Sequence, residues 1–303
     1  MAIDIQEFIN SSLGISLIAS LGRLIPVRLG YWLAGFAARR IVSHPESPLV
    51  RAVRANQWVV SGEKLQRPAL DQVVGETFIN SARSIFDLYH YSLSPAAIKR
   101  LITFDPGARL LTQRPEFDGR GLVVAGMHLS SFDLVLRALT LQGMRPLILT
   151  LPDPHGSQRV EYEMRKRFGM NLVPTSFGAL RQALRHLERG GAVLTGIDRP
   201  IPDSKYHPQF FGRPADVPIH HVYLAAKAHV PVMVMVTMRQ PDGKNHVMTS
   251  EPIEMEPCSD PDEELMRNAE KILRVGESYI RQAPRQWGMT LPVWPAALGM
   301  IPG

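Results

Sequence analysis

The spacing of apolar residues changes near residue 100 of the chain. Before that point apolar residues recur every three to four positions, as between residues 69 and 91, which is typical of amphipathic helices. After it, short uncharged apolar runs alternate with segments of helical spacing. We predict strands at 121–126, 146–151, 171–173, 192–196 and 231–237, and helices at 131–142, 157–168, 178–189, 220–228 and 260–282.

Alternating strands and helices predict an α/β fold with a mostly parallel central sheet flanked by helices. The first 100 residues carry no strand pattern and predict an additional helical layer that begins with an amphipathic helix. We therefore expect two regions that form one integrated domain: an N-terminal helical, membrane-associating region over 1–100, and an α/β core over 101–303.

The N-terminal segment between Glu7 and Arg23 is uncharged and amphipathic. It is shorter than the roughly 18 to 20 residues that a membrane-spanning helix needs, so we expect no transmembrane helix there. A second apolar stretch with Trp32 follows and is flanked by arginines, a composition that suits insertion into one leaflet containing anionic lipid. The alternative is that both stretches pack on the core. The acidic residue Asp4 disfavours a cleaved signal peptide.

A net charge of +6 indicates partners that carry negative charge, such as a membrane surface, nucleic acid, or acidic substrates and carrier proteins. The arginines are not interleaved with aromatic residues and no recognition module is visible, so we expect no nucleic-acid partner. A single cysteine, Cys258, allows no disulfide within the chain, and no metal-ligand spacing is present.

The clearest candidate for chemistry is the segment from His128 to Asp133, which follows the apolar run 121–126. A neutral imidazole is a usable general base near pH 7, and a carboxylate on its other nitrogen fixes the tautomer. We expect His128 in the loop and Asp133 in the first helical turn, with Ser130 and Ser131 as N-caps. The alternative is structural, because Ser130-x-x-Asp133 also resembles a capping box.

Three further segments carry candidate residues. Asp198 and Arg199 follow a predicted strand, where Asp198 is expected to orient a substrate group or to form a structural ion pair. The aromatic and proline-rich loop 210–218 suits a wall for an acyl chain, or else a packed surface loop. Arg165 stands near a helix end, where it reaches a phosphate or carboxylate or simply faces solvent.

The order of these segments resembles that of a bacterial acyltransferase family, which includes the lipid A lauroyl/myristoyl transferases and the mycobacterial phosphatidylinositol mannoside acyltransferase. The resemblance covers most of the chain. Its matching residues are Arg54 and Asn56; His128 and Asp133; Arg165 and Gly169; Asp198 and Arg199; Phe210, Phe211, Gly212, Pro214 and Ala215; Pro231 and Val232; Gln286 and Trp287.

This resemblance implies a glycerolipid-acyltransferase-like fold and a peripheral or monotopic enzyme on the cytoplasmic face of the bacterial inner membrane. It implies transfer of a fatty acyl group from acyl-CoA or acyl carrier protein to a hydroxyl of a glycolipid or phospholipid, without a further cofactor or metal. It makes His128 and Asp133 the catalytic dyad, with oxyanion donors from amides near Ser130 or an arginine. The implied substrate-binding residues are Ser130, Ser131, Arg165, Asp198, Arg199, Phe211 and Gly212.

Two other functions remain open at this point. A glycerol-phosphate or lysophospholipid acyltransferase shares the His-x4-Asp pattern and predicts a small glycerolipid acceptor. A membrane-bound, non-catalytic lipid-binding protein of the same fold is the alternative from another class. Its support is the sequence Ser130-Ser131-Phe132, which stands where the family often has Gly-Asn-Trp.

Overall fold

The computed structural model describes residues 22–113, 119–154 and 157–302. Within these ranges the chain forms ten α-helices and two short 3-10 helices, at Pro284–Gln286 and Pro295–Gly299. The helices are α1 Val27–Val42, α2 Pro48–Val60, α3 Arg67–Tyr91, α4 Pro95–Leu101, α5 Pro106–Gln113, α6 Phe132–Leu141, α7 Ser157–Arg167, α8 Phe177–Glu188, α9 His220–Ala228 and α10 Pro261–Gln282. The predicted amphipathic helix preceding Gly22 lies outside the described residues.

Nine strands form two sheets, and the predicted mostly parallel α/β architecture is confirmed. The strands are β1 Ile102–Phe104, β2 Leu122–Gly126, β3 Leu147–Thr150, β4 Asn171–Pro174, β5 Ala192–Gly196, β6 Gln209–Phe210, β7 Arg213–Pro214, β8 Val232–Arg239 and β9 Asn245–Thr249. Seven of them form the central sheet in the order β1-β9-β8-β2-β5-β3-β4. Every neighbouring pair in that sheet is parallel except β8 and β9.

The five predicted strands are all present. Four of them are apolar runs that the sheet buries on both faces. The fifth, β4, is an edge strand in which only Leu172 and Val173 are partly buried. In β2, Leu122 and Val124 join one hydrophobic cluster while Val123 and Ala125 join the other. Burying such side chains stabilises the fold by roughly 1.5–3 kcal/mol each. The sequence analysis missed β1 and β9, since β1 has three residues and β9 mixes polar with apolar ones.

The centre of the sheet creates a crevice between β2 and β5. These strands are parallel and in register, with Gly126 opposite Gly196, so the loops that follow them leave the sheet side by side. The next helices cover opposite faces, because α6 belongs to one hydrophobic cluster and α9 to the other. Diverging connections at adjacent strands leave an opening at their carboxyl ends, where ligands of open α/β sheets bind.

Candidate active site

His128 lies in the loop after β2 and is held by Asp198, which lies just beyond β5. The His128 ring nitrogen Nδ1 is 2.6 Å from Asp198 Oδ1, and Asp198 Oδ2 accepts a 2.8 Å bond from the His128 backbone N–H. Trp287 Nε1 donates a further bond of 2.8 Å to Oδ2. Asp198 is fully buried, whereas 25% of the His128 side chain is exposed. The imidazole is therefore fixed on one edge and accessible.

The pKa of Asp198 is lowered in spite of its burial. Burial alone raises the pKa of a carboxyl, but the His128 ring and the hydrogen bonds from His128 and Trp287 outweigh that effect. Asp198 is therefore ionised at neutral pH, and an ionised carboxylate accepts the proton on His128 Nδ1. This tautomer leaves the lone pair on His128 Nε2.

Two neighbours set the position of the imidazole ring. The Phe132 ring packs edge-on against it, with 4.7 Å between centroids. On the other side, a Cβ added at Gly196 would lie 3.2 Å from His128 Cε1, closer than most real contacts. A glycine at the end of β5 therefore makes room for the ring between that strand and α6.

The predicted contact between His128 and Asp133 is wrong. Asp133 does lie in the first turn of α6, as predicted, but its Oδ1 accepts a bond of 2.7 Å from Arg165 Nε and lies 2.5 Å from Arg165 Nη2. The first turn of α6 presents Asp133 to α7, while the register of β2 with β5 brings Asp198 to His128. The Asp133 carboxylate consequently neutralises Arg165.

Ser130 adopts the left-handed backbone conformation, with φ of 48°. Its N–H donates to the Gln286 carbonyl at 2.9 Å, and its hydroxyl donates to Asn245 Oδ1 at 3.1 Å. The Ser130 N–H is thus occupied, so one of the amides expected as oxyanion donors near Ser130 is not available. A left-handed non-glycine residue costs on the order of 1 kcal/mol or more and persists only where its surroundings hold it.

Ser131 stands at the N-cap position of α6, but its side chain makes no capping bond, so the predicted cap is wrong. Its buried hydroxyl instead accepts a bond of 3.3 Å from Arg239 Nη2. Arg239 also forms a buried ion pair with Asp87, and Tyr31 of α1 donates to the same carboxylate at 2.9 Å. These contacts connect the His128 loop to α3 and α1.

Glu161 and Arg199 complete the charged surroundings of His128, and the sequence analysis missed Glu161. Its Oε2 lies 3.6 Å from Arg165 Nη2. Burial, and next the Asp133 carboxylate, raise the pKa of Glu161 to about 7, against the opposing effects of nearby cations and the imidazole. Burial likewise lowers the pKa of Arg199. No sequence pattern distinguishes Glu161 from an exposed glutamate on a charged helix.

Comparison with known proteins assigns the chain to a family. Residues 54–295, well over half of the chain, match the family model of bacterial lipid A biosynthesis acyltransferases. The chain belongs to this family. It is therefore an acyltransferase of lipid biosynthesis, with an acyl donor and a lipid acceptor as substrates, and the resemblance inferred from its motifs is confirmed.

Six chains of solved structures also match this chain. The chain is similar to the 1-acyl-sn-glycerophosphate (LPA) acyltransferase PlsC from Thermotoga maritima, at 16% identity and a TM-score of 0.38. The match covers 82% of this chain and 97% of that one. No curated protein matches the chain.

Two predicted substrate-binding residues of this acyltransferase, Phe211 and Gly212, lie in the turn of a hairpin. Phe211 and Gly212 form the turn between β6 and β7, and both have positive φ, as a two-residue type I′ turn requires. Phe211 packs edge-on against Trp294, and Arg281 of α10 lies over its ring. In the described part of the chain, neither residue has a hydrogen bond or ring contact with His128, and their substrate-binding role stays a prediction.

The hairpin nevertheless packs against the residues that hold His128. Phe210 is fully buried, stacks on Trp294 at 5.4 Å and meets Trp287 edge-on at 6.1 Å. Because Trp287 donates to Asp198, this aromatic cluster fixes the donor that helps keep Asp198 ionised. A separate cavity of about 510 Å³, next to the 3-10 helix at 284–286, is lined by neither His128 nor Asp198.

Helix α1 exposes several apolar side chains at the surface of the acyltransferase. Trp32 and Phe36 are more than half exposed and stack on each other with centroids 6.0 Å apart, and Leu29 and Leu33 are exposed beside them. Among the helices that the structure describes, none is long and apolar enough to cross a membrane. Within the same ranges, no three His, Cys, Asp or Glu side chains are grouped so that they could hold a metal ion.

Proposed function

We propose that this enzyme transfers a fatty acyl group from a thioester donor, acyl-CoA or acyl carrier protein, to a hydroxyl of a glycolipid or phospholipid. His128 is the general base, and Asp198 orients it. The observation that carries this proposal is the bond from the partly exposed His128 ring to the fully buried Asp198 carboxylate. In the described residues no group bonds Nε2, which is free to take a proton.

The reaction balances without a covalent enzyme intermediate. The acceptor hydroxyl gives its proton to His128 Nε2 as its oxygen attacks the thioester carbonyl, and a new C–O bond forms. The tetrahedral intermediate collapses, the C–S bond breaks, and the imidazolium returns the proton to the departing thiolate. Asp198 stabilises the imidazolium throughout, because its carboxylate accepts the Nδ1 proton at 2.6 Å.

Charged residues near His128 are suited to bind anionic parts of the substrates. Arg199 follows Asp198 directly in the chain, is partly buried and has no hydrogen bond within the described ranges. Its guanidinium suits a phosphate of the acceptor lipid or of the donor. Arg165 is less available, because Asp133 occupies its Nε and Nη2 groups. With the Ser130 N–H occupied, we assign oxyanion stabilisation to a cation near His128.

A peripheral position on the cytoplasmic face of the bacterial inner membrane accords with the surface of α1. The exposed Trp32 and Phe36 rings are followed by Arg39 and Arg40 in the last turn. Aromatic side chains of this kind enter the lipid interface, and arginines bind anionic headgroups. Hydrogen bonds of Tyr31, Asp87 and Arg239 also connect α1 to the His128 loop, which supports a lipid-facing surface near the reaction.

The test compares the lipids of the native host, its deletion strain, and the deletion strain complemented with wild-type protein or His128→Ala. We expect one lipid to carry an additional acyl chain, by mass spectrometry, only with wild-type protein. His207→Ala is the matched control, because His207 also pairs with an aspartate, Asp216, but is half exposed on the surface. A lipid profile independent of His128 would refute the catalytic proposal and favour a non-catalytic lipid-binding protein.

A further inference from the structure

A short segment near the end of the chain, 286–288, lies against the loop that carries His128, and the two pair as an antiparallel β-bridge. On one side of the bridge, the Ser130 N–H donates to the Gln286 carbonyl at 2.9 Å. On the other side, the Gly288 N–H donates to the His128 carbonyl at 3.3 Å. Because backbone bonds flank the bridge, the position of the 286–288 segment sets the position of the catalytic loop.

The same segment also holds the second member of the dyad. Trp287 is its central residue, and Trp287 Nε1 donates at 2.8 Å to the buried Asp198 carboxylate. The other oxygen of that carboxylate lies 2.6 Å from His128 Nδ1. One short segment therefore contacts the base through its loop and the carboxylate through one of its oxygens. A displacement of the segment would change the geometry between His128 and Asp198.

The side chain of Gln286 ties this segment to the central sheet. Its Oε1 accepts a bond of 2.7 Å from the Arg239 backbone N–H, and its Nε2 donates at 3.0 Å to the Arg239 carbonyl. Arg239 is the last residue of β8, whereas β2 pairs with β8 only as far as Met235. Strand β9 occupies the opposite edge of β8 at this level. The Gln286 amide thus pairs with the edge of β8 that β2 leaves free.

The conformation of the catalytic loop makes such a restraint necessary. Ser130 has a φ of 48°, and a left-handed residue other than glycine persists only where its surroundings hold it. Its N–H is held by the Gln286 carbonyl and its hydroxyl by Asn245. Catalytic groups must stay within about 0.5 Å of their productive positions. A loop with this strain therefore depends on the segment that restrains it.

Other contacts attach the chain to the domain just before Gln286. Gln57 of α2 donates at 2.9 Å to the Pro284 carbonyl. Asn80 of α3 donates at 2.9 Å to the Arg285 carbonyl. Removing the Gln286 amide therefore leaves the chain anchored on the N-terminal helices, and what is lost is the register of the segment against β8.

We propose that Gln286 is a positioning residue for acyl transfer. Its side-chain amide fixes the 286–288 segment on β8, and the segment in turn fixes His128 against Asp198. This inference rests on the proposed function, because it takes His128 and Asp198 as the catalytic dyad. Gln286 acts through these residues and not on the substrates, so its effect is on kcat and not on KM.

The first experiment measures thioester cleavage with palmitoyl-CoA as donor and a lipid extract of the deletion strain as acceptor. Gln286→Met keeps the length of the side chain and Gln286→Ala shortens it, but both remove the two bonds to Arg239. We expect kcat to fall about 100-fold in both variants, since a displacement of about 1 Å can cost a factor of that size. The KM for palmitoyl-CoA should change by less than about threefold.

Gln282→Met is the matched control and should have wild-type kcat. Gln282 is an exposed glutamine of α10 whose amide donates to the Ser278 carbonyl of the same helix. Agreement between Gln286→Met and Gln286→Ala would assign the loss to the hydrogen bonds, because the two variants differ in packing.

The second experiment observes the dyad itself and requires no turnover. In proton NMR spectra, the Nδ1–H that His128 donates to Asp198 should give a downfield resonance, assigned by its absence in His128→Ala. We expect this resonance in wild type and in Gln282→Met, and its loss or broadening in Gln286→Met, with all variants folded by circular dichroism. A purely structural role of Gln286 would lower the melting temperature but leave the resonance of the folded protein unchanged.

Failure of this inference is distinct from failure of the proposed function. Wild-type kcat in Gln286→Met and Gln286→Ala, or an unchanged His128 resonance, would overturn the role of Gln286 while His128→Ala stays inactive. A raised KM with unchanged kcat would also overturn it, because Gln286 would then act on substrate binding. Activity that persists in His128→Ala would instead refute the proposed function.

Discussion

Two carboxyl groups near the same imidazole have opposite properties in this acyltransferase. Asp198 is fully buried, accepts three hydrogen bonds and has a lowered pKa. Glu161 is partly exposed, accepts no hydrogen bond from the described residues and has a pKa raised to about 7. Donors aimed at an ionised carboxylate outweigh burial in the first case, and burial prevails in the second. Asp198 is therefore a fixed charge for His128, whereas Glu161 has only the longer ion pair of 3.6 Å with Arg165.

We expect the largest effect on kcat from removing the negative charge of Asp198. Asp198→Asn removes the negative charge that holds the Nδ1 proton, so we expect kcat to fall by roughly 10³-fold in a thioester-cleavage assay. Asp133→Asn, which acts only through Arg165, should lower kcat by about tenfold. Circular dichroism should show both variants folded. Equal losses in the two variants would mean that Asp133 reaches His128 during the reaction after all.

The next prediction concerns the effect of burying the Glu161 carboxyl on the free energy of unfolding. The folded-state pKa of Glu161 lies near 7, above its ordinary value of 4.5, so the folded protein binds more protons between these limits. The stabilisation that Glu161 contributes is fully present below its unfolded-state pKa and is lost as pH rises through its folded-state pKa. It amounts to at most about 3 kcal/mol. Glu161→Gln should therefore raise the free energy of unfolding at pH 8 but not at pH 4.5, as urea denaturation would measure.

The matched control for this pH effect is Glu163→Gln, which removes an exposed carboxyl from the same helix. A Glu161→Gln difference that is equal at pH 4.5 and pH 8 would show that the pKa of Glu161 is the same in the folded and the unfolded protein. In that event its contrast with Asp198 would disappear.

A smaller effect is expected from one donor to Asp198. Trp287→Phe removes the bond to Oδ2 but keeps most of the aromatic packing, and bonds to charged groups contribute about 1.5–3 kcal/mol. We expect kcat to fall about tenfold. Trp294→Phe is the matched control, because Trp294 is equally buried and its Nε1 has no partner among the described residues. Similar losses in both variants would assign the effect to packing.

The smallest effect concerns the loop that carries His128. Ser130→Ala and Ser130→Gly both remove the hydroxyl that donates to Asn245, but only glycine relieves the positive φ. We expect Ser130→Gly to be more stable than Ser130→Ala by about 1 kcal/mol in chemical denaturation. Equal stabilities of the two variants would show that the loop relaxes out of the left-handed conformation.

Much of the fold follows from local patterns. The five predicted strands lie within one or two residues of their predicted bounds. Four of them are apolar runs, because burial on both faces demands continuous apolar sequence, and β4 lies at the edge of the sheet. Helix α9 has its predicted bounds, His220–Ala228. The antiparallel strand β9 was not predicted, because it contains polar residues such as Asn245 and His246. These residues are held in the sheet by pairing with β8 and by a hydrogen bond to Thr103.

The sequence by itself determined that His128 follows a buried strand and that Asp133 begins the next helix, since apolar runs and N-terminal helix signals act over a few residues. Only the tertiary structure decided which carboxylate holds the imidazole. Asp198 is distant from His128 in sequence but adjacent across the β2–β5 register, whereas Asp133 is near in sequence but directed at Arg165. Side-chain direction depends on the element that carries the residue, and hydrogen bonds depend on distance in space.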